Sequence, residues 1–342
     1  MPSSPASRSA LQTIDDLLSS VGLEQGRRKA IYHEQVRQPK HSGQVAPRQK
    51  QSRVARTKLH AVHVPDWASH RWLLHGFSTR TGGKTTVYRP NQRAGELNLG
   101  FTASDTRETV LANRRLLLEA VAGKTFPLVT LRQVHSSIVR LVSKADAGEE
   151  ATLKGDGMIT GERGVVLGIQ TADCIPVLVA DKKRRAVAAF HAGWRGTLKR
   201  IVENGVGRMR MEFGCDPEDL MAAIGPGIGP CCYAVGEEVR SEFESQFRYA
   251  PELFCEVYDS DPVREKYPML FLTARAPGHS NLGPSLHLDL IEANRRQLLD
   301  AGLRAESIFV QGDCTSCRTD RYFSHRAEHG FTGRSLSIIG IR

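Results

Sequence analysis

The middle of the chain reads Gly168-Ile-Gln-Thr-Ala-Asp-Cys-Ile-Pro-Val-Leu-Val-Ala-Asp181, then Lys-Lys-Arg-Arg, then Ala186-Val-Ala-Ala-Phe-His191. The two outer segments are apolar runs rich in Val, Ile and Ala, a composition typical of buried strands. Four consecutive charged residues separate them and indicate a tight turn. We therefore predict an antiparallel hairpin.

This hairpin predicts that Cys174 and His191 are neighbours. If the turn is centred between Lys182 and Lys183, the two residues lie directly opposite each other at the open end of the hairpin. Opposed Cβ atoms in a sheet are about 4.5–5.5 Å apart. That spacing suits two ligands of one metal ion, because Zn–S and Zn–N bonds are about 2.3 and 2.0–2.1 Å long.

A neighbouring thiol and imidazole have three interpretations. They are ligands of a metal ion, a thiolate–imidazolium nucleophile pair, or a buried thiol beside a histidine of the core. The two residues themselves leave all three open. His135, in Leu131-Arg-Gln-Val-His-Ser-Ser, is by itself more typical of a core histidine.

Helix and strand patterns are mixed outside the hairpin. Apolar periodicity predicts helices over residues 107–122, 197–213 and 286–301, and strands over residues 73–78, 128–142, 164–180, 186–191, 221–224 and 335–341. Hairpins argue against a purely parallel sheet. The predicted fold class is α+β (mixed α/β), with a single domain of mixed, largely antiparallel sheets packed with helices.

Residues 1–60 differ in composition from the rest of the chain. They carry eleven Lys and Arg against four Asp and Glu, so most of the net charge of +10 lies there. We expect a mostly disordered basic leader, with one short helix over residues 11–23 and a linker, before an enzyme domain over residues 61–342. The leader is better explained as a solubilising tail than as a nucleic-acid-binding arm, and no specific nucleic acid is expected as a partner.

The sequence shows no sign of export or membrane insertion. The apolar runs are far too short to span a bilayer, and no basic start precedes an apolar stretch. We therefore expect a cytoplasmic protein whose seven cysteines are buried residues, metal ligands or reactive thiols. Cys231 and Cys232 are adjacent, and Cys314 and Cys317 flank no recognisable knuckle, so a structural zinc at these four is not expected.

Motifs along the body resemble those of one family. They are His75-Gly-Phe-Ser-Thr-Arg, Leu97-Asn-Leu-Gly, Arg132-Gln-Val-His, Gly155-Asp-Gly-Met, Thr171-Ala-Asp-Cys, His191-Ala-Gly-Trp, Gly225-Pro-Gly-Ile-Gly-Pro-Cys-Cys-Tyr, Asp313-Cys-Thr-Ser-Cys, Phe323-Ser-His-Arg and Thr332-Gly-Arg. Over roughly residues 65–342 the chain resembles the laccase-domain family, once called multicopper polyphenol oxidases and now regarded as purine nucleoside phosphorylases with adenosine deaminase activity. Ala234 and His325 depart from the family pattern, which has Glu and Tyr there.

The resemblance implies a zinc site formed by His135, Cys174 and His191. Three protein ligands leave a fourth position open, which is the pattern of a catalytic zinc, and Cu²⁺ would bind the same ligands. Cys174 and the adjacent Asp173 are candidate catalytic residues, Asp173 orienting a ligand or the substrate, or only shaping the turn. The implied substrates are phosphate and the purine nucleosides adenosine, inosine, guanosine and methylthioadenosine.

Phosphate as a substrate requires cationic side chains. Arginine forks bind phosphate well, and four arginines in the family motifs are candidates: Arg80, Arg195, Arg326 and Arg334. Arg80 is also a candidate catalytic residue, although a structural ion pair explains it equally well. Asn98, in Leu97-Asn-Leu-Gly, is a further candidate for substrate binding.

Two other enzyme classes are considered. A copper-dependent polyphenol oxidase needs paired histidines, but none of the twelve histidines forms His-x-His, so a trinuclear copper cluster is not encoded. The nucleobase-deaminase signature His-x-Glu with Pro-Cys-x-x-Cys is also absent. A cysteine hydrolase that uses Cys174 and His191 is the second alternative.

Overall fold

The computed structural model describes residues 59–89, 94–257 and 284–342. The helix predicted over residues 11–23 and the linker after it lie outside the described residues. The described α-helices are α1 Arg107–Ala122, α2 Trp194–Leu198, α3 Ile201–Phe213, α4 Glu237–Gln246 and α5 Leu290–Asp300. None of these five is long and apolar enough to cross a membrane.

Most of the described strands belong to three sheets. The strands are β1 Ala61–Val62, β2 Leu73–Ser78, β3 Thr81–Thr85, β4 Leu128–Thr130, β5 Val139–Leu141, β6 Gly157–Thr160, β7 Val166–Thr171, β8 Ile175–Asp181, β9 Val187–Ala192, β10 Leu220–Ile224, β11 Phe254–Val257, β12 Ser285–Leu288, β13 Ile308–Val310 and β14 Ser335–Ile341. One sheet has the order β1-β2-β14-β7-β4, the second has the order β13-β10-β8-β9-β6-β5, and β11 pairs with β12.

Antiparallel pairing dominates these sheets. Only the pairs β4–β7, β5–β6 and β10–β13 are parallel among the described pairs. The other pairings, including the β8–β9 hairpin, are antiparallel. The predicted α+β class with mixed, largely antiparallel sheets is confirmed.

The two large sheets pack face to face between layers of helices. Leu167 and Ile339 of the first sheet share an apolar cluster with Leu178 and Ala189 of the second. On the outer face of the second sheet, Phe190 belongs to a cluster that includes residues of α3 and α5. Helix α1 covers the outer face of the first sheet in a third cluster. Alternating side chains of buried strands fill both faces, which explains their nearly continuous apolar sequences.

The β8–β9 hairpin forms, but its predicted register is wrong. His191 pairs with Pro176, and Asp181 donates its N–H to the carbonyl of Ala186, so the turn is centred one residue later than predicted. Two features stabilise this turn. The carboxylate of Asp181 accepts the backbone N–H groups of Lys183 and Arg184, and Arg185 has φ +54°. A four-residue loop closed by a left-handed residue therefore replaces the tight symmetric turn.

Four predicted elements are interrupted. The strand predicted over residues 164–180 is divided into β7 and β8 by a bend at residues 172–174. The segment 128–142 forms two short strands with a loop between them, and the segment 197–213 breaks between α2 and α3 at Arg200, whose φ is +57°. The segment 286–301 begins as strand β12, and helix α5 starts only after Asp289, whose side chain accepts the N–H of Glu292. N-capping by Asp289 explains where α5 begins.

Candidate metal centre and the cleft around it

A loop, a bend and a strand bring His135, Cys174 and His191 together. His135 lies in the loop between β4 and β5, Cys174 in the bend between β7 and β8, and His191 on β9. Their ligand atoms all lie within 4.8 Å of one another. Sγ of Cys174 is 4.0 Å from Nε2 of His135, and the two imidazole rings are 4.9 Å apart at their centroids.

Asp156 organises this cluster from beneath. It is fully buried, and its carboxylate accepts the backbone N–H groups of Val134, His135 and Ser136. Three donors on one carboxylate hold His135 in a left-handed conformation with φ +57°. Oδ1 of Asp156 also accepts Nδ1–H of His191 at 2.8 Å, which leaves Nε2 of His191 as the ligand atom.

The charges of the cluster are strongly coupled. Burial opposes ionisation of Cys174, but the positive charge of His191 and hydrogen bonds from both histidines outweigh it and lower the pKa of the thiol to about 6. Burial lowers the pKa of His191, whereas the thiolate and Asp156 raise it, to about 9. Burial also works against Asp156, yet hydrogen bonds from His191 and Ser136 bring its pKa down to about 2. Without a cation these interactions favour a thiolate–imidazolium pair over the carboxylate of Asp156.

The donor set fits a zinc ion. One thiolate and two imidazoles, with a carboxylate behind one of them, are the ligands and the support that catalytic zinc sites use. Gly193 leaves room for the ligands, because a Cβ there would lie 3.0 Å from Sγ of Cys174 and 3.2 Å from Cδ2 of His135 and would push them by a few tenths of an ångström. The three side chains are therefore arranged as candidate ligands of one metal ion.

The site opens into a cleft of about 900 Å³. Its lining includes all three candidate ligands and the aromatic side chains Phe101, Trp194, Tyr233 and Phe331. Phe101 and Phe331 keep 40% and 55% of their surface exposed, so part of each ring is open to a ligand. A cleft of this volume with aromatic walls matches the dimensions of a small-molecule site.

Three of the four candidate arginines line this cleft. Arg195 lies over the Trp194 ring at 4.3 Å, and Nη2 of Arg326 donates to the carbonyl of Ala234. Nη1 of Arg334 donates to the carbonyls of Thr332 and Gly333. These contacts orient the guanidinium groups, and the three guanidinium groups contribute positive charge to the cleft.

Arg80 lies elsewhere. It is 1% exposed, its guanidinium group is paired with Glu96 and Glu328, and it packs over the Phe323 ring. It is not part of the cleft lining. The structure therefore favours the ion-pair explanation of Arg80 over contact with a ligand in this cleft.

Asn98 is also buried behind the cleft. Its Oδ1 accepts the backbone N–H of Arg334 at 2.9 Å, and its Nδ2 donates to Asp105 at 2.8 Å. It thus positions Arg334 rather than facing the cleft itself.

Asp173 lies next to the candidate ligand Cys174 and has φ +90°. Its Oδ1 accepts from Oγ1 of Thr315 at 2.7 Å, and its Oδ2 accepts from the backbone N–H of Arg326 at 2.6 Å. Its carbonyl accepts the N–H of Ile228. Asp173 therefore ties three cleft segments together next to Cys174, and both of its carboxylate oxygens are already engaged.

Sequence reasoning missed Asp156 and Tyr233. The signal for Asp156 is one carboxylate between two glycines, Gly155 and Gly157, directly before an apolar strand. A buried carboxylate must be hydrogen-bonded, so this position marks an organising residue. Tyr233 follows the glycine-rich turn and faces the cleft, but no local pattern in the sequence indicates that direction.

Comparisons with known proteins agree with the motifs. The family model described as multi-copper polyphenol oxidoreductase laccase matches residues 74–342. The purine nucleoside phosphorylase YlmD of Geobacillus stearothermophilus is 36% identical over 285 residues, which cover 79% of this chain and 94% of that protein. The adenosine deaminase RL5 of an unknown prokaryotic organism is 31% identical over 280 residues, which cover 80% and 96% respectively.

A solved structure agrees as well. The crystal structure of the Bacillus licheniformis hypothetical protein YfiH matches with a TM-score of 0.69 and 29% identity, and the match covers 82% of this chain and 96% of that one. The family resemblance drawn from the motifs is confirmed. The chain belongs to the family described as multi-copper polyphenol oxidoreductase laccase.

Proposed function

We propose that the protein is a purine nucleoside phosphorylase with one catalytic zinc ion, held by His135, Cys174 and His191. Adenosine, inosine, guanosine and methylthioadenosine are the proposed nucleosides, and deamination of adenosine is a second activity of the same site. The proposal assigns the activity to the enzyme domain over residues 61–342 and places the protein in the cytoplasm. The observation that carries it is a cleft that brings His135, Cys174 and His191 together with arginine and aromatic side chains.

The charge of the cleft supports phosphate as a substrate. Arg195, Arg326 and Arg334 line it, and the carboxylate of Asp173 is already bound by Thr315 and the backbone of Arg326. Guanidinium groups bind phosphate through paired N–H donors. Arg334 is the strongest candidate ligand, because Asn98 fixes its backbone and two carbonyls fix its Nη1.

The aromatic walls support a purine base. Phe101 and Phe331 line the cleft and are partly exposed, and contact with a purine ring would cover some of this apolar surface. Burial, and then the negative charge of Cys174, raise the pKa of Tyr233 to about 12, so its hydroxyl keeps its proton near neutral pH. Tyr233 is therefore a hydrogen-bond donor available to the base or the sugar.

The reaction that this cleft suits is displacement at C1′ of the ribose. A phosphate oxygen bonds to C1′ as the bond from C1′ to the purine nitrogen breaks, the bonding electrons leave with the base, and the base takes up a proton. The products are ribose 1-phosphate and the free base. A bound zinc ion supplies a Lewis acid for polarising the substrate or water. The arginines hold phosphate, and Asp156 keeps the His191 proton on Nδ1.

Zinc is preferred to copper oxidation chemistry for a structural reason. In the described part of the chain, His135 and His191 are the only histidines that share a candidate metal cluster. A multicopper oxidase needs several clustered histidines to hold its trinuclear centre. Cu²⁺ would still bind the three donors of the single site, so metal content has to be measured together with activity.

Incubation of the zinc-loaded protein with inosine, with and without phosphate, tests the proposal. We expect hypoxanthine and ribose 1-phosphate to form only when phosphate is present. Cys174→Ala should abolish this activity, whereas Cys255→Ser, a change at an exposed cysteine on β11, should not. With adenosine, release of inosine without phosphate reports deamination. Absence of hypoxanthine at every phosphate concentration would refute the phosphorylase assignment.

A further inference from the structure

We propose that Cys231, Cys232, Cys314 and Cys317, the cysteine cluster, bind a second and structural zinc ion. Their four sulfur atoms lie within 4.8 Å of one another. Sγ of Cys317 is 3.5 Å from that of Cys231 and 3.4 Å from that of Cys232. A tetrahedral zinc with Zn–S bonds of about 2.3 Å places its sulfurs roughly 3.8 Å apart, whereas a disulfide bond is about 2.05 Å long. The two observed distances are close to the sulfur spacing of such a zinc site and far longer than a disulfide bond.

The backbone overcomes the unfavourable spacing in the sequence. The N–H groups of Cys232 and Tyr233 both donate to the carbonyl of Gly229, which folds the adjacent cysteines into a tight turn. In the other segment, the N–H of Arg318 donates to the carbonyl of Cys314 and closes a turn around the Cys-x-x-Cys pair. Two compact turns thus face each other and direct their thiols to one point, which sequence spacing alone does not reveal.

A backbone N–H group lies at the sulfur of Cys314. The N–H of Gly229 donates to Sγ of Cys314 at 3.2 Å. This hydrogen bond joins the two segments of the cysteine cluster, because Gly229 lies just before Cys231 and Cys232. Thiolate is the form that binds zinc, and backbone N–H groups offset part of its charge.

The cysteine cluster differs from the catalytic site in its ligands and its role. Four thiols fill all positions of a tetrahedral zinc, which is the closed arrangement of structural sites. The ion would connect two segments that shape the cleft. Tyr233 follows Cys232 and lines the cleft, and Thr315, next to Cys314, donates to Asp173. We infer that this zinc holds those two segments in register, so that its binding energy contributes to folding.

Metal analysis of the full-length protein, purified without chelator, tests this inference. The key variant is His135→Ala/Cys174→Ala, which removes the catalytic site and leaves the cysteine cluster. We expect two zinc ions per chain in the wild type and one in this variant. In the variant, X-ray absorption should show only sulfur around zinc, at about 2.3 Å, and Co²⁺ substitution should give the charge-transfer bands of a tetrathiolate site.

Two further proteins complete the experiment. Cys317→Ser should lose one metal equivalent, and Cys255→Ser, outside both sites, should lose none. If Cys317→Ser fails to fold, the double variant still decides the matter by its metal content and spectra. Thiol counting after denaturation in chelator should find all seven cysteines of the wild type reduced. A metal-free double variant, or a wild-type count of five thiols, would overturn the proposal, and neither result depends on the catalytic assignment.

Discussion

Asp156 holds His191 through both its main chain and its side chain. The carbonyl oxygen of Asp156 accepts the backbone N–H of His191 at 2.7 Å, and Oδ1 accepts Nδ1–H of the ring at 2.8 Å. The same carboxylate binds the backbone of the His135 loop. One buried carboxylate therefore positions two of the three proposed zinc ligands, although it touches neither the metal position nor the cleft.

Replacement of Asp156 by Asn should weaken metal binding without changing the volume of the side chain. The amide loses the negative charge that supports His191, and its NH₂ group cannot accept the N–H groups that the carboxylate binds. We expect zinc affinity to fall about 10–100-fold, measured by competition with a chromophoric chelator. Asp320→Asn, at a carboxylate paired with Arg318 on the surface, is the control. Equal zinc affinity in Asp156→Asn and wild type would contradict the positioning role.

Gly193→Ala should disturb the same site by steric contact. The new Cβ would lie 3.0 Å from Sγ of Cys174 and 3.2 Å from the ring of His135, so the ligands must move apart. We expect at least a tenfold loss of phosphorolysis, with weaker zinc binding. The matched control is Gly207→Ala in α3, where a Cβ meets nothing within 4 Å and helix propensity should stabilise by about 1 kcal/mol. Similar kinetics for the two variants would contradict the close approach of the ligands.

Arg334→Gln should impair phosphate binding selectively. Arg334 lines the cleft with its backbone held by Asn98, so loss of its guanidinium group removes a phosphate ligand. We expect the KM for phosphate to rise tenfold or more while the KM for inosine changes little, as measured in steady-state assays. An unchanged KM for phosphate would exclude Arg334 from the phosphate site.

Arg80→Met should produce the opposite pattern. Arg80 is buried against Glu96 and Glu328, and its removal leaves carboxylates without their partner. Breaking a buried pair costs about 3–5 kcal/mol, so urea denaturation should show a large loss of stability. The folded fraction should keep a normal KM for phosphate. A raised KM for phosphate with normal stability would restore Arg80 as a phosphate ligand.

Protonation of the buried His75 should make the protein less stable in mild acid. Its Nε2 accepts the backbone N–H of Val64 at 3.0 Å, and burial, together with the nearby His63, lowers its pKa from 6.5 to about 4. Between these values the unfolded chain binds a proton that the folded chain does not bind. The free energy of unfolding should therefore decrease as the pH falls from 6.5 to 4, by about 3 kcal/mol from this residue.

Urea titrations at several pH values measure this effect. His75→Gln keeps a hydrogen-bond acceptor but does not titrate, so it should lack this component of the acid sensitivity. The difference between wild type and variant isolates His75 from the other titrating groups. Identical pH dependence in the two proteins would show that His75 is not buried in its neutral form.

Periodicity and composition were sufficient to predict α1, β2, β14 and the mixed, largely antiparallel class, because each of these depends on local apolar spacing. The register of the β8–β9 hairpin was not predictable, since it depends on the hydrogen bonds of Asp181 and the left-handed conformation of Arg185. Despite the shift, Cys174 and His191 remain close. Cys174 lies two residues before Pro176, the direct partner of His191, so it is the diagonal neighbour of His191 across the hairpin.

Local sequence patterns also could not predict which distant segments of the chain come into contact. His135 was predicted on a strand, but Asp156 draws its backbone into a loop with positive φ. The partners of Arg80 are 16 and 248 positions away along the chain, so no local pattern predicts its burial. Family motifs identified the three proposed ligands, but only the fold shows what supports them.

Anomalous diffraction at the zinc edge is the most direct test of the proposed catalytic centre. Crystals of the full chain, purified without added metal, should show a zinc peak bonded to His135, Cys174 and His191, with no protein ligand in the fourth position. The peak should persist in Cys255→Ser and disappear in Cys174→Ala, together with phosphate-dependent release of hypoxanthine. Full phosphorolytic activity of a protein that has no metal ion bound by these three side chains would contradict the account.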